Sequence, residues 1–386
     1  MTEKKKQPPA TDAIASMIDD LAAKGQAALK AFDAFDQETI TNIVHHMALV
    51  GVDQHMPLAR LAVDETGRGL FEDKCVKNIF ATEYVWNSIK YDRTVGVIHE
   101  DKQTGVTEIA EPVGVVAGIT PVTNPTSTVM FKCLISIMTR NPIIFAFHPS
   151  AQKCSTAAAR VMYEAAIAHG APENCIQWIE QPSVEATGQL LNHPDIALAL
   201  ATGGSGMVRA AYSTGKPALG VGPGNVPVYI EKTSKISRTV NDLLISKTFD
   251  NGMICASEQA LIIDESISKD VLKEFKEYGT HVLTKEEKKK LASYMVTDNG
   301  SILASVVGKS ALEIAEAAGI DVAPGTKMLL VKIDAVGEKD PFSREKLCPV
   351  LAYTTAKDTE DAMQLCEQML LSLIHISEPT RRRGIS

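Results

Sequence analysis

A chain of 386 residues, 45% hydrophobic and 22% charged, is long enough for two buried cores and too apolar for extended disorder. Its formal net charge of -8 gives no electrostatic reason to expect nucleic acid or an anionic membrane as partner, so a small-molecule substrate is the default. No stretch reaches the ~18 consecutive apolar residues that span a bilayer. Lys4, Lys5 and Lys6 lead into Pro8 and Pro9 rather than the apolar core of a secretory signal.

From Thr11 to Ala31 the positions Ile14, Met17, Ile18, Leu21 and Ala22 recur at helical spacing, and a second amphipathic run covers Gln37 to Val50. Thr94 to Ile98 and Val106 to Ile109 read as two strands of a hairpin arm, at about residues 94–110. Short, wholly apolar strands then alternate with helices: Val113 to Ile119, a helix from about Ser127, Ile143 to Phe147, a helix from Ala151 stopping at Gly170, Ile176 to Ile179, Ile196 to Ala201, a helix near Met207, and Val226 to Ile230. Strands buried on both faces with helical crossovers imply an α/β fold, a doubly wound parallel sheet, assigned to a cofactor domain at residues 1–230. A second α/β domain is assigned to 231–371, with strands Ala260 to Ile263 and Met328 to Ile333 and helices near Ser268 to Tyr278 and Ala311 to Ala318. After an amphipathic helix from Asp361 to Leu371, residues 372–386 lack period and change composition; they read as a non-native tail.

Seven cysteines form no Cys-x-x-Cys pair and the histidines no His-Glu-x-x-His, so no metal is expected and the thiols suit a reducing cytoplasm. Cys133, Cys154 and Cys366 fall in amphipathic helices and Cys75 in an expected one, where small buried hydrophobes belong. Cys255 differs. It sits in the polar, glycine-containing stretch from Lys247 to Gln259, just before an apolar strand, where a thiol is exposed enough to react.

Three further stretches offer chemistry. Ala201-Thr202-Gly203-Gly204-Ser205-Gly206 follows a strand and opens a helix, which suits a phosphate site or simply a tight turn needing positive φ. Gly220-Val221-Gly222-Pro223-Gly224-Asn225 leads into a strand, so it is no dinucleotide fingerprint; its glycines leave room beside a ligand or another backbone segment. Thr120-Pro121-Val122-Thr123-Asn124-Pro125 lies beyond the strand ending at Ile119. There Asn124 suits either an oxyanion donor or a plain helix cap.

Taken in order, Thr120 to Thr128, Leu200 to Gly204, Ser213 to Gly222, Lys247 to Gln259 and Glu345-Lys346-Leu347-Cys348-Pro349 resemble the aldehyde dehydrogenase superfamily, specifically its CoA-acylating branch, over Thr11 to Leu371. The resemblance implies that fold, with the hairpin as an oligomerisation arm. It implies Cys255 as nucleophile and thioester carrier, with the oxyanion held by the Cys255 N–H and the Asn124 amide. NAD is expected over Thr202, Gly203 and Gly204, with His148 and Pro149 near the adenosine ribose and Ile119, Thr120, Pro121, Val122, Thr123, Asn124 and Gly222 flanking the nicotinamide end. Glu345 matches the glutamate that holds the nicotinamide ribose.

Hydrolytic members read Glu-Leu-Gly-Gly where this chain has Gly220-Val221-Gly222-Pro223, so the water-activating base is missing and room is left for CoA. The implied activity is reversible oxidation of acetaldehyde with CoA to acyl-CoA, in the cytoplasm. The intact protein is expected to be a homo-oligomer fused to an iron-dependent alcohol dehydrogenase domain, continuing beyond Leu371. The alternatives are a hydrolytic aldehyde dehydrogenase, an acyl-phosphate reductase, or an inactive fragment that supplies assembly surfaces.

Overall fold

The computed structural model of the protein describes residues 11–337 and 340–377. The Lys4 to Pro9 stretch and the end of the tail from residue 378 lie outside the described residues. The chain forms two compact units. One takes in residues up to Thr66 together with Lys74–Val221, the other Gly67–Asp73 together with the chain from Gly222.

In the first unit, helices α1 (Thr11–Phe32), α2 (Gln37–Asp53) and α3 (His55–Thr66) precede α4 (Phe71–Ile79), whose first three residues belong to the second unit. A π-turn over Phe80–Tyr84 leads into α5 (Val85–Ile89). Strands β1 (Gly96–Asp101) and β2 (Val106–Ala110) make an antiparallel hairpin whose register shifts between Val97 and His99. Then come β3 (Val115–Ile119), α6 (Pro125–Met138), β4 (Ile143–Ala146), α7 (Gln152–Ala168), β5 (Ile176–Trp178), α8 (Val184–Asn192), β6 (Ile196–Thr202), α9 (Ser205–Tyr212) and β7 (Ala218–Val221).

The five strands β3 to β7 form one parallel sheet in the order β5-β4-β3-β6-β7. This is a doubly wound order whose direction reverses between β3 and β6. Period-two alternation sends Val116, Ile143 and Phe145 into the core shared with α2, α6 and α7, while Val115, Ala117, Ile119, Ile144 and Ala146 pack with Ile14, Ile18 and Leu190 on the other face. With both faces covered, β3 and β4 are apolar and buried throughout, which is why they are legible as buried strands.

In the second unit, β8 (Val226–Ile230), α10 (Ile236–Thr248), β9 (Glu258–Asp264), α11 (Ser268–Glu277), β10 (Thr280–Val282), α12 (Lys285–Met295), α13 (Ala311–Ala317), β11 (Met328–Lys332), β12 (Val350–Ala356) and α14 (Thr359–Ser377) build a second parallel sheet, ordered β10-β11-β12-β9-β8. Its alternation is as clean. Ala260, Ile262, Leu329, Val331, Val350 and Ala352 face one core; Leu261, Ile263, Met328, Leu330 and Leu351 face the other.

Three differences from the sequence reading have local causes. The strand Val226–Ile230 pairs with β9 rather than with the first sheet, so the change of unit falls at Val221/Gly222 and not at residue 230. The break follows from Pro223, which has no N–H to continue β7. β7, β10 and β12 were not anticipated: β7 is interrupted by Gly220, β10 has three residues, and β12 starts directly after Pro349 and carries polar Thr354 and Thr355 near its end. Helix α14 runs on to Ser377, past the assigned end at Leu371, because no helix breaker occurs before Pro379. Among the described residues no helix is long and apolar enough to cross a membrane.

Candidate active site

The reversal of strand order puts the carboxyl ends of β3 and β6 side by side, with Ile119 paired to Ala201. In open α/β sheets this is where ligands collect. Thr120 to Asn124 leave one end and Thr202, Gly203 and Gly204 the other, so the first unit gathers most of the residues expected to hold a cofactor. Gly203, Gly204 and Gly206 do not adopt positive φ. A β-carbon at Gly204 or Gly206 would meet nothing within 4 Å, so the turn itself does not require these glycines; they keep the strand end open. The Thr120 hydroxyl is buried without a hydrogen-bond partner among the described residues.

His148 and Pro149 follow β4, at the same edge of the sheet. His148 is exposed, and its Nδ1 accepts from the Ser150 N–H at 3.1 Å, starting the single turn that leads into α7.

Asn124 occupies the position before α6, yet its side chain makes no capping hydrogen bond. Pro125 at the first helical position reduces the need for one. The capping explanation of Asn124 therefore fails, and its amide is engaged elsewhere. Lys77 Nζ donates to Asn124 Oδ1 at 2.7 Å, and Asn124 Nδ2 donates to Thr123 Oγ1 at 3.1 Å. Lys74, buried one turn earlier on α4, donates to the Thr123 carbonyl at 3.2 Å. Thr126 Oγ1 donates to Asn78 Oδ1 at 2.8 Å, tying the start of α6 to α4.

Gly220 ends differently from the expectation that it makes room for CoA. A β-carbon there would lie 2.6 Å from Val208 Cγ1 and 2.7 Å from Tyr212 Cε2. The Gly220 N–H also donates to the Tyr212 hydroxyl at 3.0 Å. The space a side chain would need is filled by α9, so glycine is required by packing within the first unit.

In the second unit, Cys255 is the exposed cysteine. Cys133, Cys154, Cys175 and Cys348 are buried, and burial pushes all four thiols up, Cys175 to about 12. Three successive residues before the Cys255 loop, Asp250, Asn251 and Gly252, have φ of 48°, 51° and 75°. Such left-handed runs persist only when surroundings impose them. Here Asp250 Oδ1 accepts from the Leu70 N–H, its own N–H donates to Asp73, and Asn251 Nδ2 donates to the Gly308 carbonyl. A β-carbon at Gly252 would sit 2.7 Å from the Cys348 carbonyl carbon. These contacts explain why the short Gly67–Asp73 segment belongs with this unit.

The glycine cluster before β8 meets the same loop. A β-carbon at Gly224 would lie 2.2 Å from the Cys255 carbonyl oxygen, and the Gly224 N–H donates to Glu345 Oε1 at 3.0 Å. Of the two sequence readings for these glycines, close approach of another backbone segment holds at Gly224. Gly224 thereby links the Cys255 backbone to Glu345. Burial raises the Glu345 carboxyl to about 7, against the opposing pull of the Gly224 N–H, Lys247 and Lys346.

Several supporting residues escaped the sequence reading. Gln259 receives Lys247 Nζ at 3.1 Å and the Lys346 N–H at 3.1 Å on its Oε1, and its Nε2 donates to the Ser257 carbonyl at 3.2 Å. Lys346 Nζ donates to the carbonyls of Gln259, Phe342 and Arg344, holding the turn where Leu347 takes φ 48°. Lys132 Nζ joins the ends of β3 and β6, donating to the Ile119 carbonyl at 2.6 Å and the Leu200 carbonyl at 2.7 Å. Burial lowers Lys132 to about 7 and Lys247 to about 8. Pattern reading takes lysines as surface residues, and nothing local marked these as buried.

Comparison with known proteins agrees with this architecture. The chain is 52% identical over 363 residues to aldehyde-alcohol dehydrogenase 2 of Entamoeba histolytica, an alignment covering 92% of this chain and 42% of that protein. It therefore spans less than half the length of that relative. The structure of an acetylating aldehyde dehydrogenase from Geobacillus thermoglucosidasius superposes with a TM-score of 0.91 at 47% identity, covering 95% of this chain and 81% of that one. A Rhodopseudomonas palustris propionaldehyde dehydrogenase, solved with bound CoA and an acylated cysteine, gives a TM-score of 0.81 at 28% identity, with coverage of 91% and 80%. Residues 5–373 match the aldehyde dehydrogenase family, and the chain belongs to that family.

Proposed function

We propose that the chain carries an NAD-dependent, CoA-acylating aldehyde dehydrogenase activity on a short aldehyde, acetaldehyde being the preferred candidate. The observation that carries this reading is Cys255: an exposed thiol on a loop held by the left-handed run before it and by Gly224 behind it. The Cys255 thiolate adds to the aldehyde carbon, giving a thiohemiacetal whose oxyanion accepts from the Cys255 N–H and the Asn124 amide. When bound, NAD supplies the hydride acceptor that turns the thiohemiacetal into a thioester. The CoA thiolate then attacks the thioester carbonyl, releasing acyl-CoA and regenerating the Cys255 thiolate. The reverse sequence reduces acyl-CoA to the aldehyde.

The features of the first unit fit the cofactor. The unpartnered Thr120 hydroxyl and the open space above Gly204 and Gly206 lie at the strand-order reversal, and Glu345 is proposed as the carboxylate for the ribose. Gly220 supports acyl transfer over hydrolysis, since no carboxylate stands there to activate water. The hairpin exposes Val97, Val106 and Ile109, which supports its role as an assembly arm of a homo-oligomer, and the protein is proposed to act in the cytoplasm. A fused alcohol dehydrogenase domain is proposed by analogy with the relative from Entamoeba. NADH formation from acetaldehyde, measured with and without CoA, tests the activity. Turnover to free acetate without CoA would contradict it.

A further inference from the structure

We propose that Lys77 is the positioning residue for Asn124, fixing the carboxamide so that its N–H side faces the developing oxyanion. The inference rests on the oxyanion role proposed for Asn124 and adds what sets that donor.

A carboxamide is almost symmetric in shape, and its two ends differ only in what they bond. An Asn serving an oxyanion is useful in one of two orientations: Nδ2 toward the substrate donates, whereas Oδ1 there would repel the negative charge. Something must therefore hold the carbonyl end. An ammonium can do this unambiguously because it has donors and no acceptor. Lys77 Nζ sits 2.7 Å from Asn124 Oδ1, a charge-assisted distance.

The remaining contacts complete the orientation. Nδ2 donates one hydrogen to Thr123 Oγ1 at 3.1 Å, which leaves its second hydrogen to donate. The helix start makes no claim on the amide, since the side chain forms no capping bond. Lys74 and Asn78, on the same helix as Lys77, hold the Thr123 carbonyl and the Thr126 hydroxyl on either side of Asn124. These two contacts hold the backbone on both sides of Asn124 when the Lys77 ammonium is removed. The Lys77 ammonium beside Oδ1 also polarises the amide, making Nδ2–H a stronger donor.

The test compares the unsubstituted protein, Lys77→Met, Lys77→Arg, Asn124→Ala and the Lys77→Met/Asn124→Ala double variant. One measurement is the pre-steady-state rate of NADH formation from acetaldehyde at saturating NAD and CoA. The other is the side-chain amide resonance of Asn124 in protein labelled with 15N-asparagine, assigned by its loss in Asn124→Ala, which needs no turnover. Lys77→Met is expected to slow NADH formation about tenfold with little change in KM for NAD, and Lys77→Arg to recover it to within about threefold. In the Asn124→Ala background, Lys77→Met should cost nothing further. The amide resonance should move in Lys77→Met and stay near its position in Lys77→Arg. A Lys77→Met penalty of equal size with and without Asn124, or an amide resonance indifferent to Lys77, would overturn the proposal. Asn124→Ala at the unsubstituted rate would overturn the oxyanion role itself; it is told apart from a failure at Lys77 because the resonance would still answer to Lys77→Met.

Discussion

The carbonyl oxygen of Cys255 lies 2.2 Å from where a β-carbon on Gly224 would be. The Cys255 backbone is thus seated on a glycine whose N–H holds Glu345. Replacing Gly224 by Ala forces the 224 or 255 backbone to move. The expected result is a loss of at least about 100-fold in kcat/KM, because a displacement of this size at the proposed nucleophile is costly, with a lowered Tm. Steady-state kinetics and thermal denaturation of Gly224→Ala check both; unchanged kinetics would show that the loop tolerates the shift.

Cys255 should be alkylated by iodoacetamide well before Cys133, Cys154, Cys175 or Cys348, whose thiols are buried and held protonated. Peptide mass spectrometry after brief labelling reads the order. Cys255→Ala should abolish NADH formation while leaving the Tm within a few degrees, since an exposed side chain contributes little packing.

Glu345 gives a pH dependence with a definite sign. Burial raises its carboxyl to about 7, so the folded protein holds a proton that the unfolded chain, titrating near 4.5, has released. Its contribution to stability is present in full below the unfolded value and is lost as pH rises toward 7. The carboxylate proposed to bind the ribose, in contrast, forms over the same rise. KM for NAD is therefore expected to fall by up to about tenfold between pH 6 and pH 8, the change in ionised fraction for a group titrating near 7. Glu345→Gln should remove that dependence.

Gly220→Glu, which restores the hydrolytic residue, is not expected to create a hydrolase. Val208 and Tyr212 already occupy the position of the new β-carbon, and the Tyr212 hydroxyl is bonded to the Gly220 N–H. Overpacking of this kind costs about 1–3 kcal/mol. The variant should melt lower and give no CoA-independent acetate, measured by denaturation and by product analysis.

The legible parts of the molecule were those in which local pattern and tertiary role coincide. Ile143 to Ala146 reads as a buried strand because both its faces are apolar, and Cys255 stood out because its loop is polar where the other cysteines lie among hydrophobes. Thr120 to Asn124 and Thr202 to Gly204 could be placed at strand ends, which the sheet order then joined. What local pattern could not show was long-range. Lys132 reaches Leu200 across 68 positions, Lys77 reaches Asn124 across 47, and Gln259 meets Lys346 across 87. Each pairing depends on which carbonyl or amide the fold brings near a lysine. The same holds for Gly220, whose neighbours Val208 and Tyr212 come from the preceding helix.

The central claim is that an acyl group passes through Cys255 on its way to CoA. Protein incubated with acetaldehyde and NAD in the absence of CoA, quenched and digested, is expected to carry one acetyl group on the Cys255 peptide, and CoA added before quenching should remove it as acetyl-CoA. NADH formation with no acetylated Cys255, or an acetyl group released as acetate at the same rate whether or not CoA is present, would contradict the account.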